Sequence, residues 1–302
     1  MNTVFRMLLL TVLSSLLLAC PATTPPANTP AANAGKPTPK PQPKPVKIAL
    51  VLGGGAARGF AHVGVIKVLE ANGIDPKIVV GTSAGSVVGS LYAAGYSGFD
   101  LQKLALSLDQ DEVGDWTLPD RGFIKGQALQ DFINKNVKNQ PIEKLKREFG
   151  AVATNLKTGQ GVLFQRGNVG MAVRASSSVP GVFQPVNIAG VDYVDGGVVS
   201  PVPVKYARQM GADFIIAVDI SGSPNSGPIT SSKDVLLQSA TIMGKTIKEE
   251  ELKQASVVIT PKVGQFAADD FDSKHMSILE GEKAAQALMP QIKQKLAALQ
   301  KP

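Results

Sequence analysis

Residues 78–85 read IVVGTSAG, a short apolar strand that runs directly into a Gly-x-Ser-x-Gly motif and then into a predicted helix. This order of elements is the arrangement known as a nucleophile elbow. Gly81 and Gly85 allow the sharp turn that lifts the Ser83 hydroxyl out of the end of the sheet. The dipole of the following helix favours negative charge at that point. The pattern therefore predicts Ser83 as a nucleophile rather than as a plain turn residue.

Strands alternate with helices on both sides of this motif, from Val46 onward. Such alternation favours an α/β fold with a mostly parallel central sheet and helices on both faces. The absence of a second linker predicts one domain over residues 46–302. Hairpin turns are predicted at 158–161 and 189–190. Strands are predicted at 46–52, 78–80, 151–156, 161–165, 183–188, 214–219 and 257–259; helices are predicted at 60–71, after 81–85 up to Gly95, and near 97–108, 126–137, 168–177, 202–210, 232–252 and 276–299.

The first 45 residues have a different character. Arg6 and the apolar run that follows it predict a signal peptide over residues 1–19, too short to span a bilayer. The run ends in Leu-Leu-Ala-Cys, which resembles the lipobox of bacterial lipoproteins and implies lipidation of Cys20. Residues 20–45, with nine prolines, predict an extended linker. We therefore expect a membrane-anchored lipoprotein of the bacterial cell envelope, in the outer membrane and facing the periplasm.

Charge and composition exclude several classes of protein. The net charge is +7, and residues 1–45 contribute four basic and no acidic groups to it. The remaining balance of 27 basic against 24 acidic residues gives no reason to expect a nucleic-acid partner. Because Cys20 is the only cysteine, an internal disulfide and a cysteine-rich metal site are excluded. The acidic run at 269–272 lacks the spacing of an EF-hand loop and is predicted to be solvated, so no metal and no cofactor is expected.

A second glycine-rich turn, residues 53–59 with the sequence GGGAARG, lies between the first strand and the first helix. Arg58 stands where a dinucleotide fingerprint needs glycine, and the turn lacks the Gly-Lys-Ser/Thr end of a P-loop. We therefore expect no nucleotide. Exposed N–H groups before a helix suit an anion, which is either a bound phosphate or a developing oxyanion.

The Ser83 hydroxyl is a poor nucleophile without a base, so the histidines and acidic residues of the sequence must be searched for one. His275 is the only histidine after Ser83, so a triad of the α/β-hydrolase type would have to use it. His62 lies among apolar neighbours on the first predicted helix and is interpreted as a hydrogen-bonded structural histidine. Asp195, followed by Gly196 and Gly197, would by itself be read as a turn.

Taken together, four blocks resemble the patatin-like phospholipase family. They are residues 53–59, 81–85, 174–181 and 195–197, in that order, and the resemblance covers nearly all of residues 46–302. It implies a three-layer patatin-like fold and a Ser–Asp dyad with no histidine and no cofactor. Two positions depart from the family pattern: Ser200, where members often carry Asn, and Asn155, where they often carry Asp.

The family's roles transfer to matching positions of this chain. The resemblance implies Ser83 as nucleophile, Asp195 as base, and a role for Arg58 and Gly59 in orienting the glycine turn. It also implies an oxyanion hole made by the backbone N–H groups of Gly53, Gly54 and Gly55. The implied activity is hydrolysis of phospholipids, lysophospholipids or other fatty acyl esters, and transfer of the acyl group to another acceptor would use the same dyad.

Three other interpretations remain open at this point. One is the His275-dependent esterase, another is a nucleotide-binding protein that uses the glycine turn, and the third is a lipid-tethered scaffold without catalysis. The segment 109–125, which carries Val113 and the only tryptophan, Trp116, is predicted either as a lid over an acyl site or as a surface loop.

Overall fold

A computed structural model describes residues 45–109, 113, 124–222, 229–267 and 269–300, all within one compact unit that begins at Pro43. The signal peptide, Cys20, the proline-rich linker and most of the segment 109–125, including Trp116, lie outside the described residues. Within the described ranges, none of the helices combines the length and the apolar character that crossing a bilayer requires.

The described part of the chain contains eight strands and eight α-helices. The strands are β1 (Ile48–Leu52), β2 (Ile78–Thr82), β3 (Glu148–Asn155), β4 (Gly161–Phe164), β5 (Val186–Ile188), β6 (Val191–Asp195), β7 (Phe214–Val218) and β8 (Val257–Ile259). The helices are α1 (Phe60–Ala71), α2 (Ala84–Ala94), α3 (Gly98–Ser107), α4 (Gln127–Asn136), α5 (Val169–Ser176), α6 (Val204–Gln209), α7 (Ser232–Leu252) and α8 (Lys274–Leu299).

All eight strands form one mixed sheet in the order β5-β6-β3-β2-β1-β7-β8, with β4 also paired to β3. The strands β3, β2, β1, β7 and β8 run parallel. The strands β4 and β6 pair antiparallel with β3, and β5 pairs antiparallel with β6. The predicted α/β class, with a sheet between two helical layers, is confirmed, and the antiparallel strands occupy the β3 side of the sheet.

The central strands are buried on both faces, as a parallel sheet between helices requires. In β1, Leu50 and Leu52 pack in the larger core cluster with α1 and α8. Ala49 and Val51 point to the opposite face and pack in a second cluster with α6. Successive side chains of a strand point to opposite faces, so a continuous apolar strand supplies both cores at once.

The predicted hairpin at 189–190 is confirmed, but the strand after it was not predicted. Ala189 and Gly190 both have positive φ, 51° and 84°, as a two-residue type I′ turn requires. Strand β6 reads VDYVD, whose acidic residues conceal its pairing potential. The strand predicted at 183–188 is correspondingly shorter, because β5 begins only at Val186.

Candidate active site

Ser83 occupies the single residue between β2 and α2. Its backbone has φ 54° and ψ −126°, a conformation that is costly for a residue with a side chain. Its N–H donates to Ser176 Oγ at 3.0 Å, and its carbonyl accepts from Ser86 Oγ at 2.7 Å. These bonds hold the strained turn in place, with the side chain near the carboxyl end of the parallel strands.

The two glycines of the motif are required by close packing rather than by their own φ angles. A Cβ on Gly85 would overlap the carbonyl oxygen of Leu52, at the end of β1. A Cβ on Gly81 would overlap the carbonyl oxygen of Gly85. Of these three residues, Ser83 is the one with positive φ. The elbow therefore lies directly against the sheet, and only glycine fits at both flanks.

Asp195 is brought beside Ser83 by strand register. On one side of β3, Thr82 pairs with Val152. On the other side, Asp195 pairs with Ala153, the next residue along β3. Ser83 follows Thr82 directly, so the serine and the aspartate flank the same strand at nearly the same level.

The Asp195 carboxylate is buried and only half satisfied. Its Oδ1 accepts from the Gly197 N–H at 2.6 Å, whereas Oδ2 has no hydrogen-bond partner in the described part of the chain. Burial raises the pKa of Asp195 to about 6, although the Ser83 hydroxyl and the Gly197 N–H act to lower it. No hydrogen bond from the Ser83 hydroxyl reaches Oδ2 in the described structure, and such bonds are often long or poorly aligned in enzymes without substrate. The free oxygen is a base with a place for one proton.

The glycine turn corrects the predicted oxyanion hole. The Gly53 N–H donates to Val218 O and the Gly54 N–H to Pro201 O, each at 3.0 Å. The reason is that Gly53 continues the pairing of β1 with β7 past the end of the strand. Gly55 keeps its predicted role as a candidate donor, because within the described residues its N–H and that of Ala56 have no acceptor. No sequence pattern pointed to Ala56, which adopts a φ of 52° at the start of a 3₁₀ turn, Ala56–Gly59.

The turn is packed against the elbow and held from behind. A Cβ on Gly54 would lie 3.3 Å from Ser83 Cβ, and one on Gly59 would lie 2.8 Å from Ala84 Cβ. Arg58 ties the turn to the segment before α8 through Nε, which donates to Phe266 O at 3.0 Å. His62 Nε2 donates to Gly53 O at 2.9 Å. Burial lowers the pKa of His62 to about 4, so this histidine is neutral and structural, as interpreted from the sequence.

Two serines of the 174–181 block hold the backbone of Ser83 and Asp195 in place, a role that sequence reasoning missed. Ser176 Oγ accepts from the Ser83 N–H and donates to Val152 O at 2.6 Å, which links the elbow to β3. The carbonyl of Ser178 accepts from the Asp195 N–H at 2.9 Å. The membership of both serines in a family-like block was the only signal that could have suggested this role.

His275 does not join this site. It lies exposed in the first turn of α8, where it lines a shallow groove with Lys67, Gln102 and Glu282. No hydrogen bond joins it to Ser83 or Asp195 in the described structure. The nearby acidic run has a structural role, since Asp270 accepts from the Ser273 N–H at 2.9 Å and from its hydroxyl at 2.7 Å. No group of three potential metal ligands occurs among the described residues.

The fold and the site together define an α/β architecture built around an elbow serine and a buried aspartate. The chain belongs to the patatin-like phospholipase family, whose model matches residues 50–208.

The chain is also similar to proteins of bacteria and fungi. An uncharacterised NTE family protein of Mycobacterium tuberculosis is 38% identical over 185 residues, 60% of this chain and 51% of that protein. A lysophospholipase nte1 of Aspergillus fumigatus is 35% identical over 187 residues, 60% of this chain and 12% of that protein. The chain thus spans about half the length, or less, of these curated relatives.

The fold also matches a solved structure. The crystal structure of VipD from Legionella pneumophila superposes with a TM-score of 0.55 at 15% identity, covering 82% of this chain and 67% of that one. At this level of identity, the match supports the shared fold alone.

Proposed function

We propose that this protein hydrolyses acyl esters of phospholipids or lysophospholipids, with Ser83 as nucleophile and Asp195 as its base. The observation that carries the proposal is the free, buried Oδ2 of Asp195 beside a serine held in a strained elbow. Membership in a family of lipid hydrolases and a relative named as a lysophospholipase support the substrate class.

In the first half-reaction, Asp195 Oδ2 takes the proton of the Ser83 hydroxyl as Ser83 Oγ attacks the ester carbonyl. The tetrahedral oxyanion is stabilised by N–H donors of the glycine turn, for which Gly55 and Ala56 are free. Loss of one such donor typically lowers kcat by about 100- to 1,000-fold. The protonated Asp195 then gives its proton to the departing alcohol, which leaves an acyl group on Ser83.

In the second half-reaction, the ionised Asp195 accepts a proton from a water molecule that attacks the acyl-enzyme. The tetrahedral intermediate collapses, and the proton returns from Asp195 to Ser83 Oγ as the fatty acid leaves. The enzyme ends in its starting state, so the dyad needs no histidine. The raised pKa of Asp195, about 6, makes its carboxylate a stronger base than an exposed one.

The decisive experiment measures hydrolysis of p-nitrophenyl esters from butyrate to palmitate by the full chain. We compare Asp195→Asn and His275→Ala and use Ser83→Ala as the blank. Loss of turnover with Asp195→Asn and its retention with His275→Ala is the expected result. The reverse pattern would support a histidine triad instead, and a folded but inactive wild type would favour the scaffold interpretation. The chain-length profile measures the depth of the acyl site.

Phospholipid and lysophospholipid vesicles, assayed for released fatty acid, then identify the natural class of substrate.

A groove of about 670 Å³ at the Ala94 end of α2 is not the expected acyl site. It lies at the opposite end of the helix from Ser83, and neither member of the dyad lines it.

We also propose that the chain is a lipoprotein of the bacterial cell envelope, anchored in the outer membrane through Cys20 and facing the periplasm. The lipobox-like end of residues 1–19 and the sole cysteine support this proposal. Stable anchoring requires more than one acyl chain, which lipoprotein processing provides. Mass spectrometry of the N-terminal peptide should show cleavage before Cys20 and added acyl mass. A Cys20→Ser variant that fractionates with membranes as the wild type does would refute the anchor.

A further inference from the structure

The short segment 200–202, five residues beyond Asp195, supports both catalytic loops at once. The Ser200 carbonyl accepts from Thr82 Oγ1 at 2.9 Å, directly before the nucleophile. The Pro201 carbonyl accepts from the Gly54 N–H at 3.0 Å, in the glycine turn. The position of this segment therefore helps to set the spacing between the elbow and the turn that receives the oxyanion.

A buried carboxylate grips this segment on both sides of Pro201. Glu251, next to the end of α7, is only 6% exposed. Its Oε1 accepts from Ser200 Oγ, and its Oε2 accepts from the Val202 N–H at 3.3 Å. Both carboxylate oxygens are thus used, and they tie the end of α7 to the segment 200–202.

The surroundings of Glu251 make burial of its carboxylate unfavourable for the stability of the fold. Burial raises the pKa of Glu251 to about 7, although the hydrogen bond from Ser200, the charge of Lys205 and the Val202 N–H act to lower it. Burial raises the pKa of Tyr206, which also lies on α6, and the nearby Glu251 raises it further. A carboxylate buried without a close cationic partner destabilises a fold unless its hydrogen bonds compensate. Those bonds all go to residues 200 and 202.

We propose that Glu251 is a positioning residue for the Ser83–Asp195 site and acts through Ser200 and Val202. Ser200 stands where family members often carry Asn, and in this chain its hydroxyl donates a hydrogen bond to Glu251. This inference rests on the proposed function, because its readout is turnover at Ser83. The side chain touches neither the dyad nor the glycine turn, so its effect is on geometry and not on proton transfer.

The test compares Glu251→Ala, Glu251→Gln and Ser200→Ala in the full chain. Glu249→Ala is the matched control, an exposed glutamate of the same helix, 3.9 Å from Lys245. We measure kcat and KM on p-nitrophenyl butyrate, the rate at which a fluorophosphonate modifies Ser83, and Tm. Small displacements of catalytic groups cost up to about 100-fold in rate. We expect Glu251→Ala to lower kcat and the modification rate together by about 10- to 100-fold, with KM changed by less than about threefold.

Glu251→Gln should remain within about threefold of wild type, because an amide still offers one acceptor to Val202 N–H and one donor to Ser200 Oγ. The rate of Glu251→Gln should still fall at low pH with the protonation of Asp195. A protonated Glu251 offers the same donor and acceptor as the amide, so its own titration should add no further loss. Ser200→Ala should move kcat in the same direction as Glu251→Ala. The double variant that combines Glu251→Ala with Ser200→Ala should have a kcat no lower than that of Glu251→Ala alone, because the two residues act as one unit.

A structural role without positioning predicts a lower Tm with unchanged kcat for the folded protein, and that result would overturn the inference. If Glu251→Ala does not fold, the smaller change Ser200→Ala decides: wild-type kcat there would also overturn it. A wild-type chain that neither hydrolyses esters nor reacts with the fluorophosphonate would refute the proposed function itself. Active wild type with equally active Glu251→Ala and Ser200→Ala would refute this inference alone.

Discussion

Asp195 pairs with Ala153 on one side of β3, and Thr82, the residue before Ser83, pairs with Val152 on the other. One strand therefore fixes the distance between the elbow serine and the buried aspartate. The two residues reach this strand from opposite directions, since β2 runs parallel to β3 and β6 runs antiparallel to it. A site on adjacent strands of a buried sheet is rigid, which suits a dyad that must hold one proton between two groups.

The pH dependence of the rate should follow Asp195. Its pKa is raised to about 6, and only the ionised form can take the Ser83 proton. We expect kcat/KM to rise with pH through this value and to level off above it, with about a tenth of the plateau remaining one pH unit below the pKa. A pH titration of p-nitrophenyl ester hydrolysis tests this. An acid limb near pH 4, where an exposed aspartate titrates, would contradict the buried carboxylate.

Asp195→Asn should be inactive and more stable than wild type at pH 8. The folded protein holds the proton of Asp195 more tightly than the unfolded chain does, so folding loses stability as pH rises from about 4 to 6. A rise in pKa from 3.8 to about 6 corresponds to at most about 3 kcal/mol. The neutral amide avoids this cost while it can still accept from the Gly197 N–H.

Denaturant unfolding of both proteins at pH 8 and at pH 4 measures this effect. The stability difference should shrink at pH 4, where Asp195 is neutral in the folded protein. Equal stabilities at pH 8 would show that the Asp195 carboxylate is solvated rather than buried.

Ser176→Ala should weaken both stability and turnover. The hydroxyl satisfies the Ser83 N–H and donates to Val152 O, and both groups are buried. Leaving such groups unpaired costs about 1 to 3 kcal/mol. Ser90→Ala is the matched control, because Ser90 is equally buried and its hydroxyl, among the residues that the structure describes, bonds only the Val87 carbonyl of its own helix. Chemical unfolding and kcat should change for Ser176→Ala and stay nearly constant for Ser90→Ala; equal effects would refute a special role for Ser176.

Gly85→Ala should prevent folding of the elbow. Its new methyl group would overlap the Leu52 carbonyl in the centre of the sheet, where the backbone cannot yield. Soluble yield and far-UV circular dichroism report the outcome. Gly264→Ala adds the same methyl group into open space and should behave as wild type. A well-folded, active Gly85→Ala protein would show that the elbow and the sheet are less closely packed than described.

Much of the fold was predictable because its signals are local. The short apolar runs of β1, β2 and β7 are typical of strands that a parallel sheet buries on both faces. The exception is instructive: β6 carries Asp192 and Asp195 in five residues, and its strand character depends on pairing with β3 and β5. Because pairing is non-local, the strand that bears the proposed base is the one that the pattern missed.

The residues of the site also fall into those that local sequence predicts and those that depend on contacts between distant segments. Ser83 could be assigned from its own neighbours, since a strand, two glycines and a helix define the elbow within a few residues. Asp195 was assigned only through resemblance, and Ser176 and Glu251 received no role at all. Hydrogen bonds between distant segments, such as that of Ser176 with the elbow, leave no periodic trace in the sequence.

The sequence by itself determined the α/β class, the elbow serine and the glycines around it, because strand periodicity and tight turns depend on adjacent residues. Only the tertiary structure decided which carboxylate is buried beside Ser83 and which glycine N–H groups remain free. Those outcomes depend on strand register and on competition for acceptors: Val218 and Pro201 engage the N–H groups of Gly53 and Gly54 before any substrate arrives. Register and competition are properties of the assembled sheet, and no single segment encodes them.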